Sequence, residues 1–361
     1  MEALVGEHPC QPHSRFCPMR DFLPKHRPAL VLAPMQDVTD LPFMRVIARR
    51  GAPDWFVTEY FRVHPDSRLN RYILRSIVEN QTERPIFAQL IGREITDLVR
   101  VAKELAAYPI AGIDLNLGCP APVVCRKDAG GGLLRTPVRV DEIIGALRDA
   151  IPGRFTVKTR LGFHSTEEFP TLLECFRKHA IDGLTIHGRT VADRYQTPVR
   201  PDPVKLAVEA MSCPVIANGN VVDASTARAY LAQTSAAGLM VGRGAIRNPW
   251  IFAQIAADFS GEKSPRPCYR DLLEYILELS AELARESEKF DPLLHVQRIK
   301  KTLIYICDGL DAAFEQAIRR MKTPEEFESI CHSYLDSSEV LPSLPKTDSR
   351  IFCGFQDLLI H

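Results

Sequence analysis

Cys119 lies in the segment Asp114-Leu-Asn-Leu-Gly-Cys-Pro120, whose residue types suit a reactive side chain. The apolar run predicts a strand, Gly118 permits a sharp turn after it, and Pro120 fixes φ and cannot extend the strand ladder. Cys119 is therefore predicted to lie on a stiff loop just past the carboxyl end of a strand. A cysteine at such a junction is more often a small buried packing residue, so its interpretation as a catalytic thiol depends on the rest of the chain.

Polar residues recur at the carboxyl ends of the other predicted strands. Each such group, if buried without a partner, costs about 1–3 kcal/mol, so the folded chain must pair it. Any one of them alone would more often be a satisfied structural group, but so many at one rim indicate a bound polar ligand. They are Met35, Gln36, Glu59, Gln89, Asn116, Lys158, Arg160, His187, Arg189, Asn218 and Arg243.

The cations of this set indicate an anionic or electron-rich ligand. Lys158 and Arg160 are two residues apart, so both point to the same face of a strand. His187 and Arg189 repeat that spacing in the next strand. Cationic pairs that face the interior of a sheet or barrel need an anion or an electron-rich ring above them.

Residues that suit a phosphate group and residues that suit a heteroaromatic ring together indicate FMN as a ligand. Asn218-Gly-Asn220 and Gly242-Arg-Gly244 suit a phosphate group, because glycines let backbone N–H groups approach closely and the arginine adds charge. A pair of purely structural glycine turns is the alternative. Gln89 can pair with the edge of a heteroaromatic ring, and Met35 can pack against its face. Lys158 can place positive charge where a reduced flavin accumulates negative charge.

These side chains need a scaffold that brings strand ends together. Eight strand patterns alternate with helical ones, which indicates a parallel sheet with crossover helices and favours a closed (β/α)₈ TIM barrel over an open sheet. No G-x-G-x-x-G follows the first strand, which counts against a dinucleotide-binding Rossmann domain. The predicted strands are 30–35, 55–60, 85–91, 112–117, 155–161, 183–187, 215–218 and 238–242, and helices between them include 95–107, 141–150, 166–179 and 224–232.

Composition divides the chain into four parts. Residues 1–28 are predicted to be a poorly ordered extension, and residues 29–258 the FMN-binding, catalytic barrel. Residues 265–340 are predicted to form a small all-helical domain, with helices at 269–289, 293–307, 310–321 and 324–335. The tail at 341–361 receives no functional assignment.

Length, composition, charge and cysteine spacing limit the classes of protein that this sequence can encode. The chain of 361 residues is 45% apolar, enough for a large core. It carries 45 basic and 45 acidic residues, so a nucleic acid would have to bind a local basic patch. Its ten cysteines include no C-x-x-C pair and no zinc-ligand spacing, so no metal is expected. Without a secretory or membrane-spanning run, we expect a cytoplasmic protein with no membrane contact, and we expect a monomer.

The motifs of the predicted barrel resemble, in order along the chain, those of the tRNA-dihydrouridine synthase family. Two further runs, Thr58-Glu-Tyr-Phe-Arg-Val63 and His295-Val-Gln-Arg-Ile-Lys300, are most similar to its bacterial C-type branch. Arg194-Tyr-Gln-Thr-Pro198 departs from the usual Gly-Tyr-x-Gly pattern of the family. The motifs are Ala33-Pro-Met35, Glu59, Gln89-Leu-Ile-Gly92, Asp114-Leu-Asn-Leu-Gly-Cys-Pro120, Gly130-Gly-Gly-Leu-Leu134, Val157-Lys-Thr-Arg-Leu-Gly162, His187-Gly-Arg-Thr190, Ile216-Ala-Asn-Gly219 and Val241-Gly-Arg-Gly244.

The resemblance implies an enzyme that reduces the 5,6 double bond of particular uridines in tRNA, with FMN as cofactor and NADPH as reductant. Cys119 would be the general acid, since a thiol carries a proton at neutral pH and can donate it. FMN would contact Pro34, Met35, Gln36, Gln89, Lys158, His187, Asn218, Gly219, Asn220, Gly242 and Arg243. The tRNA would contact Asn116, Arg160, Glu59, Arg62, Arg189, Arg298 and Lys300.

Two other interpretations stay open. An FMN-dependent oxidoreductase that acts on a free pyrimidine would share the barrel but would need no helical RNA-binding domain. A catalytically silent RNA-binding barrel would not require Cys119, Lys158 and Arg243 together, so their joint presence argues against it.

Overall fold

The computed structural model describes residues 19–286 and 289–360, and the structural statements that follow concern these residues. Their strands form one sheet in which every neighbouring pair is parallel, in the order β2-β1-β9-β8-β7-β6-β5-β4-β3. The strands are β1 (Ala29–Leu32), β2 (Trp55–Val57), β3 (Phe61–Arg62), β4 (Ile86–Ile91), β5 (Gly112–Leu117), β6 (Phe155–Arg160), β7 (Gly183–His187), β8 (Val215–Asn218) and β9 (Gly238–Val241).

The sheet closes because β4 pairs with two short strands in succession. Phe56 of β2 lies opposite Ile86, and Phe61 of β3 lies opposite Leu90 further along β4. β2 and β3 therefore occupy one position of the barrel, interrupted at residues 58–60. This leaves eight strand positions, and the predicted (β/α)₈ TIM barrel is confirmed.

Helices follow the strands and cover the outside of the barrel. The strands are almost entirely buried, as expected where both faces of a parallel sheet are covered. Strands β5, β7 and β8 have their predicted bounds, and the other predicted strands are shorter in the structure. The barrel helices are α1 (Leu41–Gly51), α2 (Arg71–Val78), α3 (Ile95–Leu105), α4 (Pro122–Cys125), α5 (Pro137–Ala150), α6 (Phe169–Lys178), α7 (Pro201–Ala210), α8 (Ala224–Thr234), α9 (Arg243–Arg247) and α10 (Ile251–Ser260).

Four further helices form the segment that was predicted to be helical. They are α11 (Tyr269–Arg285), α12 (Pro292–Ile306), α13 (Ala312–Arg320) and α14 (Pro324–Leu335). α12 begins where Asp291 caps it, with Pro292 at its first position. The apolar core continues from the barrel into this segment, and Arg45 and Arg49 of α1 pair with glutamates of the α11 region. The boundary between the two parts stays a prediction.

The two ends of the described chain both pack on the barrel. Met19, in a short 3₁₀ helix (Met19–Phe22), is buried among residues at the amino ends of the strands, including Trp55 and Phe87. Residues 19–28 thus contribute to the closed end of the barrel instead of extending loosely from it, while residues 1–18 lie outside the described part. Near the other end of the chain, Phe352 and Phe355 are buried against Val222.

Among the helices described, none combines the length and the apolar character needed to cross a membrane.

Candidate active site

Cys119 lies on the loop directly after β5, and its backbone is held from two sides. The side-chain oxygen of Asn116 accepts hydrogen bonds from the amides of Gly118 (3.0 Å) and Cys119 (2.9 Å). The carbonyl of Cys119 accepts from the amide of Gly131 at 3.1 Å. The thiol is half-buried and free of disulfide bonding. It packs near Tyr60, Ile91 and Val124.

The thiol faces a cavity of about 740 Å³ at the carboxyl ends of the strands. This volume lies within the roughly 300–1,000 Å³ typical of sites for cofactors and small ligands. The cavity brings together most of the predicted site: Pro34, Met35, Gln36, Arg62, Asn116, Cys119, Lys158, Arg160, His187, Asn218, Gly219, Asn220, Gly242 and Arg243. Predicted site residues outside its wall are Glu59, Gln89, Arg189, Arg298 and Lys300.

Lys158 is oriented by the neighbouring strand. Its Nζ donates to Asn218 Oδ1 at 3.1 Å, while Asn218 Nδ2 donates to the carbonyl of Met240 at 2.7 Å. Burial, assisted by the nearby charge of Arg160, lowers the pKa of Lys158 to about 8, and the carboxyl of Asp114 opposes that decrease. Lys158 is therefore a cation in the cavity wall that can lose its proton near neutral pH.

Arg160 donates hydrogen bonds to backbone carbonyls of two loops, so its guanidinium is held by the protein. Its Nε donates to the carbonyl of Gly118 (2.9 Å), and its Nη1 donates to those of Thr190 (2.9 Å) and Arg194 (2.7 Å). The guanidinium also lies over the ring of Tyr195, 5.1 Å from its centroid. Arg160 thus joins the Cys119 loop to the loop after β7, and its contact with tRNA stays a prediction.

Gln89 is fully buried next to Asn116, and both the nitrogen and the oxygen of its side-chain amide form hydrogen bonds. Its Nε2 donates to Asp114 Oδ2 at 2.7 Å, and its Oε1 accepts from Asn116 Nδ2 at 2.8 Å. Asp114 also accepts from the hydroxyl of Thr156 at 2.6 Å. Gln89 thus belongs to a buried polar chain that orients Asn116, and through it Cys119, and its expected pairing with a ring edge stays a prediction.

His187 lines the cavity and has one buried ring nitrogen without a partner. The residue is 7% exposed, and its Nδ1 has no hydrogen-bond partner. Burial, together with the cations Arg160 and Lys158, holds the pKa of His187 well below its ordinary value. A neutral imidazole in the cavity wall can hydrogen-bond a polar ligand.

Arg189 lies beneath Asn220 and is fully buried. Its Nη2 donates to Asn220 Oδ1 at 2.8 Å, its Nε donates to the carbonyl of Thr197, and its Nη1 has no partner. Burial, with repulsion from Arg243, lowers the pKa of Arg189 to about 10. Arg189 is thus placed to support the loop after β8, not to reach tRNA directly.

Arg243 lies between the end of β9 and the C-terminal tail. Its Nη1 donates to the carbonyl of Ile351, and its guanidinium lies 4.9 Å from the ring centroid of Tyr195 and 5.8 Å from that of Phe352. Burial lowers its pKa. The tail therefore forms part of this wall, which sequence reasoning missed, although its paired aromatic residues were a signal that it packs.

Glu59 lies outside the cavity wall and holds Gln36. Its Oε2 accepts from Gln36 Nε2 at 2.8 Å, and its Oε1 has no partner. Burial first, and then the nearby carboxyl of Asp40, raises the pKa of Glu59 to about 7.

Two residues predicted to contact tRNA from the helical segment are engaged within the protein. Arg298 pairs with Asp40 at 2.6 Å, which joins α12 to the start of α1. Lys300 donates to the carbonyls of Arg319 (3.1 Å) and Met321 (2.5 Å), at the end of α13. The family resemblance implied that both contact tRNA. Sequence reasoning missed these ion-pair and helix-end contacts because they depend on partners distant in the chain.

Tyr60 and Tyr195 are cavity residues that sequence reasoning did not single out. Tyr60 interacts with Cys119 and lies beneath Arg62, whose guanidinium is 5.6 Å from its ring centroid. Burial raises the pKa of Tyr60 to about 12. Tyr195 contacts both Arg160 and Arg243. Their proximity to Cys119 and to the cations arises only when the loops meet at the barrel mouth.

A thiol, buried cations and glycine-lined loops that meet at the carboxyl end of a closed parallel barrel define a TIM-barrel enzyme site. The comparisons with known proteins give the family. A model of dihydrouridine synthases (Dus) matches residues 31–339. The chain belongs to the dihydrouridine synthase family.

Bacterial relatives cover most of the chain. It is 36% identical to tRNA-dihydrouridine synthase B of Pseudomonas putida over 70% of this chain and 76% of the relative. It is 31% identical to a probable tRNA-dihydrouridine synthase 2 of Bacillus subtilis, over 74% of this chain and 83% of the relative. A probable tRNA-dihydrouridine synthase of Rickettsia prowazekii is 30% identical, over 82% of this chain and 90% of the relative. The expected likeness to the C-type branch stays a prediction.

Proposed function

We propose that this protein reduces the 5,6 double bond of uridines in tRNA to give dihydrouridine, with FMN as cofactor, NADPH as reductant and Cys119 as general acid. One observation carries the proposal. The Cys119 thiol lines the same cavity as Lys158, His187 and Arg243. Acid, ring-facing cation and phosphate-binding arginine thus share one chamber.

The residues present fit FMN. The free Nδ1 of buried His187 and the cavity volume suit a polar cofactor. Arg243, with the Asn218–Asn220 loop, would hold the phosphate, while Lys158 and Met35 would lie against the ring. Gln89 would act indirectly, through Asn116. When bound, the flavin supplies the electron pair that reduces C6 of the uracil ring.

Cys119 completes the reduction by donating a proton. Its S–H bond breaks as the new C–H bond forms at C5, and the thiolate then regains a proton from solvent. The overall reaction consumes one NADPH and one proton for each uridine reduced. Asn116 and Gly131 matter because they fix the backbone of Cys119, so the thiol meets its target in a constant position.

The uridine must leave its stack to reach this chamber, because a paired or stacked base cannot enter the mouth of a barrel. Three exposed arginines of the cavity wall, Arg62, Arg194 and Arg350, surround that mouth. They are candidates to bind the phosphates on either side of the flipped nucleotide. The free-pyrimidine alternative is not favoured, because the family match continues through the helical segment that such an enzyme would not need.

A cysteine variant tests the proposal. Cys119→Ala should lower dihydrouridine formation by about 10²-fold or more, as expected for the loss of a general acid, while FMN content stays the same. The measurement is mass spectrometry of nucleosides from unmodified tRNA incubated with enzyme and NADPH. Cys175→Ala is the matched control, because Cys175 is also partly buried but lies on α6, outside the cavity.

Two results would overturn the proposal. One is a Cys119→Ala enzyme as active as the unaltered protein. The other is a purified protein that stays colourless after reconstitution with FMN.

A further inference from the structure

Residues 349–355, here called the strap, cross the mouth of the barrel beside the loops after β7, β8 and β9. The family match ends at residue 339, so the strap lies beyond the part of the chain that the family model covers. Sequence reasoning assigned no role to this tail. Its contacts involve Arg243 and Asn220, which line the cavity, and Arg189, which lies beneath Asn220.

The strap presents three backbone carbonyls to three side-chain donors. Arg243 Nη1 donates to the carbonyl of Ile351. Arg189 Nη2 donates to that of Cys353 at 3.3 Å, and Asn220 Nδ2 donates to that of Gly354 at 2.6 Å. Each donor comes from a different loop, so the strap orients all three loops at once.

The strap is anchored independently of these contacts. Phe352 and Phe355 are each only 2% exposed and pack with Val222. The hydroxyl of Ser349 donates to Asp308, just beyond α12, and accepts from the amide of Phe352 at 3.1 Å. The strap is therefore fixed to both the barrel and the helical segment, as a structural element would be.

The strap forms a wall of the cavity and does not fill it. With the strap in place the cavity still measures about 740 Å³, and Ile351 and Phe352 line it together with Gly242 and Arg243. A guanidinium has five N–H donors, so Arg243 can donate to the strap and still donate to a ligand. The carbonyls thus limit the orientations of the cations without using up all their hydrogen bonds.

Arg189 has a guanidinium nitrogen without a partner at this corner of the barrel mouth. It is fully buried, its Nη1 has no hydrogen bond, and the charged groups that act on it include the cations Arg243 and Arg160. Buried cations that repel each other need an anion nearby. A phosphate monoester is the anion that suits the chamber, if the proposed function holds.

We propose that the strap is a positioning element of the cofactor site, whose carbonyls hold Arg243, Asn220 and Arg189 in the arrangement that binds the phosphate group of FMN. The inference rests on the proposed function for the identity of the cofactor. It assigns to residues 349–355 the selectivity for the phosphorylated flavin, FMN, over riboflavin, which has the same ring system and no phosphate.

A pair of glycine variants distinguishes the effect of displacing the strap from the effect of backbone strain alone. Gly354 has a φ of +78°, and a Cβ there would lie 3.0 Å from Pro198 Cα and 3.2 Å from Asn220 Nδ2. Gly261 has a φ of +69°, and nothing lies within 4 Å of a Cβ at that position. Valine at either position strains the backbone, but only Gly354→Val also displaces the strap.

The readout is the affinity of apoprotein for FMN and for riboflavin, measured by quenching of flavin fluorescence. Gly354→Val should bind FMN about tenfold or more weakly, as expected from the loss of charge-assisted hydrogen bonds, with riboflavin affinity unchanged. Gly261→Val should match the unaltered protein for both flavins. If Gly354→Val does not fold, Phe355→Ala, which loosens the packing of the strap on Val222, is measured in the same way, with circular dichroism as the check on folding.

Several outcomes would contradict the inference. Unchanged FMN affinity would show that the strap does not position the phosphate donors. Tighter FMN binding would show that it competes with the phosphate. An equal loss for FMN and riboflavin would show a general structural defect. Failure of the unaltered protein to bind either flavin would instead refute the proposed function, and with it the premise of this inference.

Discussion

At the scale of single residues, Lys158 is a side chain whose protonation state depends on its surroundings. Burial and the charge of Arg160 lower its pKa to about 8, and Asn218 fixes its Nζ. A bound phosphate or an electron-rich ring favours the protonated form, so cofactor binding and protonation of Lys158 are coupled. Lys158 is charged at pH values below about 8 and loses its charge progressively above that value.

This coupling predicts a pH dependence of FMN binding. The affinity for FMN should fall as the pH rises through about 8, because Lys158 then loses its charge. The phosphate is already largely a dianion above about pH 7, His187 stays neutral, and Arg189 keeps its charge until about pH 10. The measurement is fluorescence titration of apoprotein with FMN across this range.

The controls for this prediction change only the titrating group. Lys158→Met should bind FMN more weakly at neutral pH and lose the fall near pH 8. Lys158→Arg keeps a charge throughout and should also lose it. A fall that persists in both variants would assign the titration to another group.

At the scale of elements, the reactive loop depends on the 3₁₀ helix Gly130–Arg135 that packs against it. Gly131 donates its amide to the carbonyl of Cys119. A Cβ on Gly131 would lie 2.8 Å from that carbonyl and 2.7 Å from Val191 Cγ2. Only glycine permits this close approach, so the run of glycines serves to position the cysteine.

Gly131→Ala should therefore lower kcat by roughly tenfold or more, because small displacements of a catalytic group are costly. FMN content should stay the same, since the change lies on the Cys119 side of the cavity. Steady-state assays with tRNA provide the measurement. Gly153→Ala is the matched control, because nothing lies within 4 Å of a Cβ there. A Gly131→Ala enzyme with normal kcat would show that the packing does not position the thiol.

At the scale of the whole molecule, equal numbers of basic and acidic residues mean that attraction to RNA must be local. Arg194 and Arg350 are exposed at the cavity mouth, in the loop after β7 and just before Ile351 of the strap. By contrast, Arg298 and Lys300 are held by contacts within the protein. We therefore propose that RNA contacts lie at the rim of the barrel, while contacts by Arg298 and Lys300 of the helical segment stay a prediction.

Salt dependence tests this location. Arg194→Ala and Arg350→Ala should each weaken tRNA binding and reduce the slope of log affinity against log salt by about one. Lys103→Ala is the control, because Lys103 lies in the last turn of α3, which runs back toward the amino ends of the strands. Binding isotherms at several salt concentrations supply the slopes. Equal effects of all three variants would mean that tRNA does not bind at the mouth.

The sequence by itself determined the barrel and the position of its rim. Alternating apolar runs and helical patterns predicted eight strand positions, and period-two spacing predicted that Lys158 and Arg160 both face the cavity. These features are local, since they depend on side-chain periodicity and on turns within a few residues. Cys119 was located in the same way, from Gly118 and Pro120.

Only the tertiary structure decided which of those polar groups remain free for a ligand. Gln89 and Arg160 are paired inside the protein, Arg298 and Lys300 hold helices, and the strap reaches the loops after β7, β8 and β9 from more than a hundred residues away in the chain. A side chain's type shows what it can bind. Which partner it meets depends on long-range packing, because any donor or acceptor of suitable chemistry can satisfy it once folding brings the two together.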